Sequence, residues 1–173
     1  DGTDQGLAYG AGSLWYADAA TDSYNGQIVE LDPETGEQLS TINTGYDPYG
    51  LAFGDGSLYA AEVTSVPDAI HEFSPDGTEL NEFGIDGPLG PVGAAPHGLA
   101  YYDGSIWVGG GPGLYQLDSN GAVEQRFEDR EEPYRGLAGT ETTLYGPDED
   151  GALTVLREST PDPTPSPSPS GVV

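Results

Sequence analysis

The tripeptide Gly-Leu-Ala returns four times, at Gly6-Leu7-Ala8, Gly50-Leu51-Ala52, Gly98-Leu99-Ala100 and Gly136-Leu137-Ala138, at intervals of 44, 48 and 38 residues. A period near 40 restricts the chain to a propeller, a solenoid or another array, because each unit must bury its apolar face on a neighbour. The interior of the unit decides among them. After each tripeptide come a tight turn and a short apolar segment: Gly12-Ser13-Leu14-Trp15-Tyr16, Asp55-Gly56-Ser57-Leu58-Tyr59, Asp103-Gly104-Ser105-Ile106-Trp107 and Thr142-Thr143-Leu144-Tyr145. A third segment follows at Gln27 to Leu31, Ala69 to Phe73, Gly113 to Leu117 and Ala152 to Leu156. Turn residues end three of these: Asp32-Pro33-Glu34-Thr35-Gly36, Ser74-Pro75-Asp76-Gly77 and Asp118-Ser119-Asn120-Gly121. A fourth, more polar segment closes the same three units, at Glu37 to Ile42, Thr78 to Phe83 and Val123 to Phe127.

No segment sustains a 3.6-residue apolar period, and glycine or proline interrupts every long stretch. Four short antiparallel strands per unit make a propeller blade. The expectation is an all-β protein: a β-propeller of about four blades over residues 1–158, with blades starting near residues 6, 50, 98 and 136. The blades are four-stranded and antiparallel, except the last, which is incomplete because the chain turns to proline after Arg157. Either the ring is small with a clipped last blade, or another chain completes it.

Composition narrows the partners. The 173 residues fit one domain, and 30 Asp and Glu stand against 4 Lys and Arg, a formal charge of −26. A body this negative is repelled by a phosphate backbone, so nucleic acid is not an expected partner. Zero cysteines exclude a disulfide scaffold, a thiolate metal site and cysteine catalysis. Neither a leader segment nor a membrane span is expected from the apolar pattern. The 11 Tyr, 4 Phe and 2 Trp recur at regular places, unlike the composition of a disordered acidic chain. Lysine-free acidity spread over the loops suits very high salt, where the Debye length falls to about 3 Å at 1 M and self-repulsion is screened. That reading predicts a fold that loosens at low salt.

Gly-Leu-Ala, Asp-Gly-Ser-Leu-Tyr and Leu-Asp-Pro-Glu-Thr-Gly-Glu, running on through Thr44-Gly45-Tyr46-Asp47-Pro48, together resemble YVTN and NHL repeats and the virginiamycin B lyase-like propellers. The resemblance covers roughly residues 6 to 157 and implies a propeller fold. In the lyase-like members, histidines, a glutamate and a magnesium ion act around the channel. Pro96-His97-Gly98 is similar to one such histidine position, but His71, beside Glu72, supplies no second loop histidine. The resemblance therefore implies the fold and leaves catalysis unmatched, and no catalytic residue is assigned.

If Gly-Leu-Ala is the inner strand, the residues just before it rim one channel mouth. They are Gln5, Tyr49, His97 and Arg135, four different polar side chains that suit a small anionic or polar ligand. Channel rims are also polar simply because they are wet. Trp15, Tyr59, Trp107 and Tyr145 share one repeat position, and that repetition reads as blade-to-blade packing rather than a sugar platform. Tyr46, Tyr49, Tyr102 and Tyr134, outside that pattern, are expected at the surface. Arg126, Arg130 and Arg135 lie among Glu124, Glu128, Asp129, Glu131 and Glu132 and read as a local ion-pair network. Asp148-Glu149-Asp150-Gly151 lacks the alternating ligand spacing of a calcium loop, so no metal and no cofactor are assigned.

From Thr160 to Ser170 every second residue is proline, which favours an extended, unpacked tail over residues 159–173. Thr160, Pro161, Pro163, Pro165, Pro167 and Pro169, with Val172 and Val173 as an apolar end, are candidate self-association residues. The functional expectation is a non-enzymatic extracellular module, on a cell surface, in a filament or in a virion, that binds proteins and other copies of itself. The alternative is a small lyase- or lactonase-like enzyme working through His97.

Overall fold

The inner turns of the first three units are built from consecutive residues with positive φ. Ala11-Gly12, Asp55-Gly56 and Asp103-Gly104 have φ of 52 and 84, 50 and 82, and 51 and 75 degrees. Two left-handed residues in succession define the type I′ hairpin, whose twist matches that of the strands it joins. A computed structural model describes residues 6–19, 26–62, 69–85, 96–110, 113–127, 134–147 and 150–158 of the chain. Among them run fifteen strands in four antiparallel sheets, each ordered as its strands occur in sequence.

Blade one holds β1 (Leu7–Gly10), β2 (Ser13–Asp18), β3 (Gln27–Leu31) and β4 (Gln38–Asn43). Blade two holds β5 (Pro48–Gly54), β6 (Ser57–Glu62), β7 (Ala69–Phe73) and β8 (Glu79–Gly84). Blade three holds β9 (Gly98–Tyr102), β10 (Ser105–Gly110), β11 (Gly113–Leu117) and β12 (Val123–Phe127). Blade four has three strands: β13 (Ala138–Gly139), β14 (Thr143–Pro147) and β15 (Leu153–Glu158). This is the expected four-bladed propeller with a short last blade. The last strand runs to Glu158 rather than ending at Leu156, with a register shift between Leu144 and Tyr145 that keeps it paired to β14.

Strand alternation gives every blade two different faces. Ala8, Trp15, Ala17, Ile28 and Ile42 of blade one pack on Leu51, Leu58, Ala60 and Phe73 of blade two. Ala52, Tyr59, Ala61, Ile70 and Phe83 of blade two pack on Leu99, Ile106, Val108, Tyr115 and Leu117 of blade three. Ala100, Trp107 and Leu114 of blade three meet Leu137, Leu144 and Leu156 of blade four. Each interface thus joins the alanine-and-aromatic face of one blade to the leucine-bearing face of the next.

The repeated glycine has a physical reason. A Cβ on Gly6, Gly50 or Gly98 would collide with the carbonyl oxygen of Tyr49, His97 or Tyr134, where the next inner strand begins. Gly10 and Gly54 lie directly against the rings of Phe53 and Tyr101. Gly136 has nothing within 4 Å of its would-be Cβ. Inner strands β1, β5, β9 and β13 pack in that order, and no comparable packing joins β13 to β1 among the described residues. Among the described residues the seam between blades four and one is open. On its two sides Leu7 and Tyr9 are 63 and 66 % exposed, and Leu153 and Val155 are 76 and 52 % exposed.

Candidate functional site

The four inner strands enclose a cavity of about 230 Å³ walled by Leu7, Tyr9, Leu51, Phe53, Leu99, Tyr101 and Leu137. Its two ends differ in chemistry. At the strand-entry end, the Tyr49 and His97 rings meet edge-on with centroids 5.3 Å apart and planes at 77°. Both side chains are half-buried. In the third position the backbone packing that Tyr49 and His97 make on Gly6 and Gly50 is made by Tyr134 on Gly98. Arg135, one residue further on, is exposed. The extra residue before the fourth Gly-Leu-Ala accounts for this offset. Gln5 and the tail candidates Thr160 to Val173 lie outside the described residues.

The hairpin-turn end carries a second cavity, about 420 Å³, lined by Phe53 and Tyr101 with Asp55, Asp103 and Glu141. Tyr101 stacks on Tyr59 at 5.8 Å with planes 8° apart. Burial raises the Tyr59 hydroxyl to about 12, with Glu72 adding to the effect. Tyr101 is raised too, chiefly by burial and then by Asp55 and Glu72. Both phenols are therefore neutral hydrogen-bonding groups at neutral pH. Carboxylates around aromatic faces favour cations, whereas the strand-entry end presents the Tyr49 ring and the His97 imidazole.

Several residues expected at the surface are in the core. Tyr46, Tyr102 and Tyr134 are all buried. Tyr134 closes the interface between blades three and four. Tyr102 packs on Trp107 at 5.9 Å. Trp15, Tyr59 and Trp107 are buried as packing residues, while Tyr145, on the open face of blade four, is half-buried. Arg126 lies over the Tyr115 ring at 5.4 Å, and residues 128–133 of the expected ion-pair network fall outside the described residues.

His71 was legible only as a neighbour of Glu72, and the pleat separates the two. Glu72 accepts a hydrogen bond from the Ser57 hydroxyl at 2.7 Å. His71 turns to the opposite face, toward blade one, where it is 5 % exposed. Its Nδ1 is 2.7 Å from Glu79 Oε1 and its Nε2 is 3.2 Å from Glu62 Oε2. The Tyr46 ring stacks on the imidazole at 4.1 Å. Only the register of three strands reveals this group: Ala60, His71 and Glu82 are cross-strand partners, and the shift at Phe73 brings in Glu79.

Comparison with known structures places the chain among β-propellers. Glutaminyl cyclase from Myxococcus xanthus superimposes with a TM-score of 0.66 at 15 % identity, over 87 % of this chain and 72 % of that one. A gluconolactonase from Xanthomonas campestris gives 0.60 at 18 %, over 86 % of this chain and 56 % of that one. The WD40 β-propeller domain of Doa1 gives 0.59 at 12 %, over 88 % and 49 %. The chain therefore spans about half the length of the last two. No family model matches the sequence, and no curated protein matches it. At these identities the likeness defines the fold, a propeller architecture used both by enzymes and by interaction modules.

Proposed function

We propose that this protein is a self-associating, protein-binding propeller module, and that its open seam is the binding surface. One observation carries the reading. Blade four presents the alanine-and-aromatic type of face, with Ala138, Tyr145 and Val155 in cross-strand register. Blade one presents the leucine-bearing type, with Leu7 and Tyr9 exposed. These are the two halves of the interface repeated three times inside the chain. A second copy supplies the missing half to each. Such a contact is head-to-tail, so it builds rings or filaments according to whether the rotation closes. The outer edge of β15, unpaired among the described residues, adds a template for strand pairing across the same contact. Tail residues 160–173 serve as a tether along the neighbour. The proline-rich composition and the acidity support an extracellular, high-salt setting for such an assembly, in the manner of YVTN- or NHL-type surface proteins.

Light scattering of the full chain over a range of concentrations tests this. Mass rising above the monomer, and falling back in Val155→Asp, supports it; a monomer at every concentration overturns it. The high-salt setting is tested separately by a melting temperature that rises from low to multimolar salt, and is contradicted by one that is flat or falls.

A second reading rests on the Tyr49–His97 contact at the channel mouth. It makes the protein a lyase- or lactonase-like enzyme. Turnover of a lactone that is abolished in His97→Ala supports that reading. Turnover unchanged in that variant removes His97 from it.

A further inference from the structure

We propose that His71, Glu79 and Glu82 bind a divalent transition-metal ion of the zinc class, with Glu62 orienting the imidazole from behind. Ligand atoms of the three residues lie within 4.8 Å of one another; bonds of about 2.0–2.2 Å place two ligands of one ion at most about 4.4 Å apart, a gap that small rotations of the exposed carboxylates close. His71 and Glu82 are cross-strand partners on β7 and β8, so their side chains share a face. The histidine forms the buried floor of the site, and the two carboxylates are exposed at its mouth. Water can complete the coordination from outside.

The imidazole is set up as a ligand. When its Nε2–H donates to Glu62, Nδ1 turns a lone pair toward Glu79 Oε1, 2.7 Å away. In the imidazolium a second N–H donates across that gap to Glu79, and in the neutral tautomer a bound metal ion takes the place of that proton. A carboxylate behind a ligating histidine is the usual second partner at zinc sites, fixing the tautomer and raising basicity. An imidazole among carboxylates selects zinc-like ions over calcium and magnesium, which favour all-oxygen shells.

Tyr46 points to a ligand independently. Its ring covers His71, it is 7 % exposed, and its hydroxyl has no hydrogen-bond partner. Water on a bound ion would give the hydroxyl the partner it lacks.

The test must separate this site from diffuse cation binding by a protein of charge −26. Only two histidines exist, His71 and His97, so imidazole nitrogen NMR reads each alone. The full chain is titrated with zinc chloride in about 1 M sodium chloride, where diffuse attraction is screened. One equivalent should move the His71 nitrogens and leave His97 in place, and calcium chloride should move neither. Glu79→Gln and Glu82→Gln alter exposed residues and should each weaken zinc binding at least as much as Glu62→Gln, for which about 10–100-fold is expected. Zinc that leaves His71 unmoved, or moves both histidines equally, overturns the proposal. So does wild-type zinc affinity in both exposed glutamine variants.

Discussion

Gly98 and Gly136 occupy the same place in the repeat and have opposite surroundings. The first is pressed against the Tyr134 backbone, while the second faces open space. The same contrast runs through the aromatic position, where Trp107 is buried and Tyr145 half-buried. Blade four therefore keeps the sequence of an interface that it does not form within the described chain. A repeat records how a unit packs on its successor, and among the described residues no unit packs on this face of blade four. That is why its exposed face has the composition of an interior.

The largest effect that sharpens this contrast is truncation of the aromatic. Trp107→Ala should cost about 3–5 kcal/mol, as large aromatic deletions in cores do. Tyr145→Ala should cost far less in dilute, monomeric protein. Denaturant unfolding measures both, and equal losses would mean that the seam is closed in solution.

Next in size is the glycine pair. Gly98→Ala forces a methyl group into the Tyr134 carbonyl and should cost about 1–3 kcal/mol, the usual range for overpacking. Gly136→Ala should stay within about ±0.5 kcal/mol, as for a surface change. A large loss at Gly136 in the monomer would place a neighbour where none is described.

The smallest effect separates the turns. Asp32 and Asp118 close the β3–β4 and β11–β12 turns, accepting backbone N–H groups from Glu34 and Thr35, and from Asn120 and Ala122. Asp76 accepts from the Ser74 hydroxyl and the Thr78 N–H in the β7–β8 turn. All three are held below the ordinary 3.8 by these donors. A carboxylate depressed in the folded state adds stability that is present above 3.8 and is lost as pH falls through the depressed value. Melting temperature should therefore drop on acidification below pH 3.8, and Asp32→Ala should flatten part of that drop. A variant with an unchanged acid limb would contradict the role given to Asp32.

Much of the fold was legible because its causes are local. Asp55-Gly56 and Asp103-Gly104 announce hairpins by backbone chemistry alone, and the Gly-Leu-Ala spacing counts the blades. The site was less legible because its causes lie across strands. One added residue shifts the Arg135 position, and the β7–β8 register, with its irregularity at Phe73, decides which carboxylates His71 meets. Tyr46 lies in a loop and is expected at the surface, yet stacking on His71 buries it. No period in the sequence reports such a contact.

The central claim is that the two faces of the seam are complementary halves of one interface. Sedimentation velocity on two face variants and their mixture tests it most directly. Leu7→Asp spoils the blade-one face and Val155→Asp the blade-four face, so each alone should remain monomeric. A head-to-tail contact leaves one intact face on each variant, and an equimolar mixture should form a dimer that grows no further. Association of either variant alone as strong as that of the wild type, or a mixture that stays monomeric while the wild type assembles, would contradict the account.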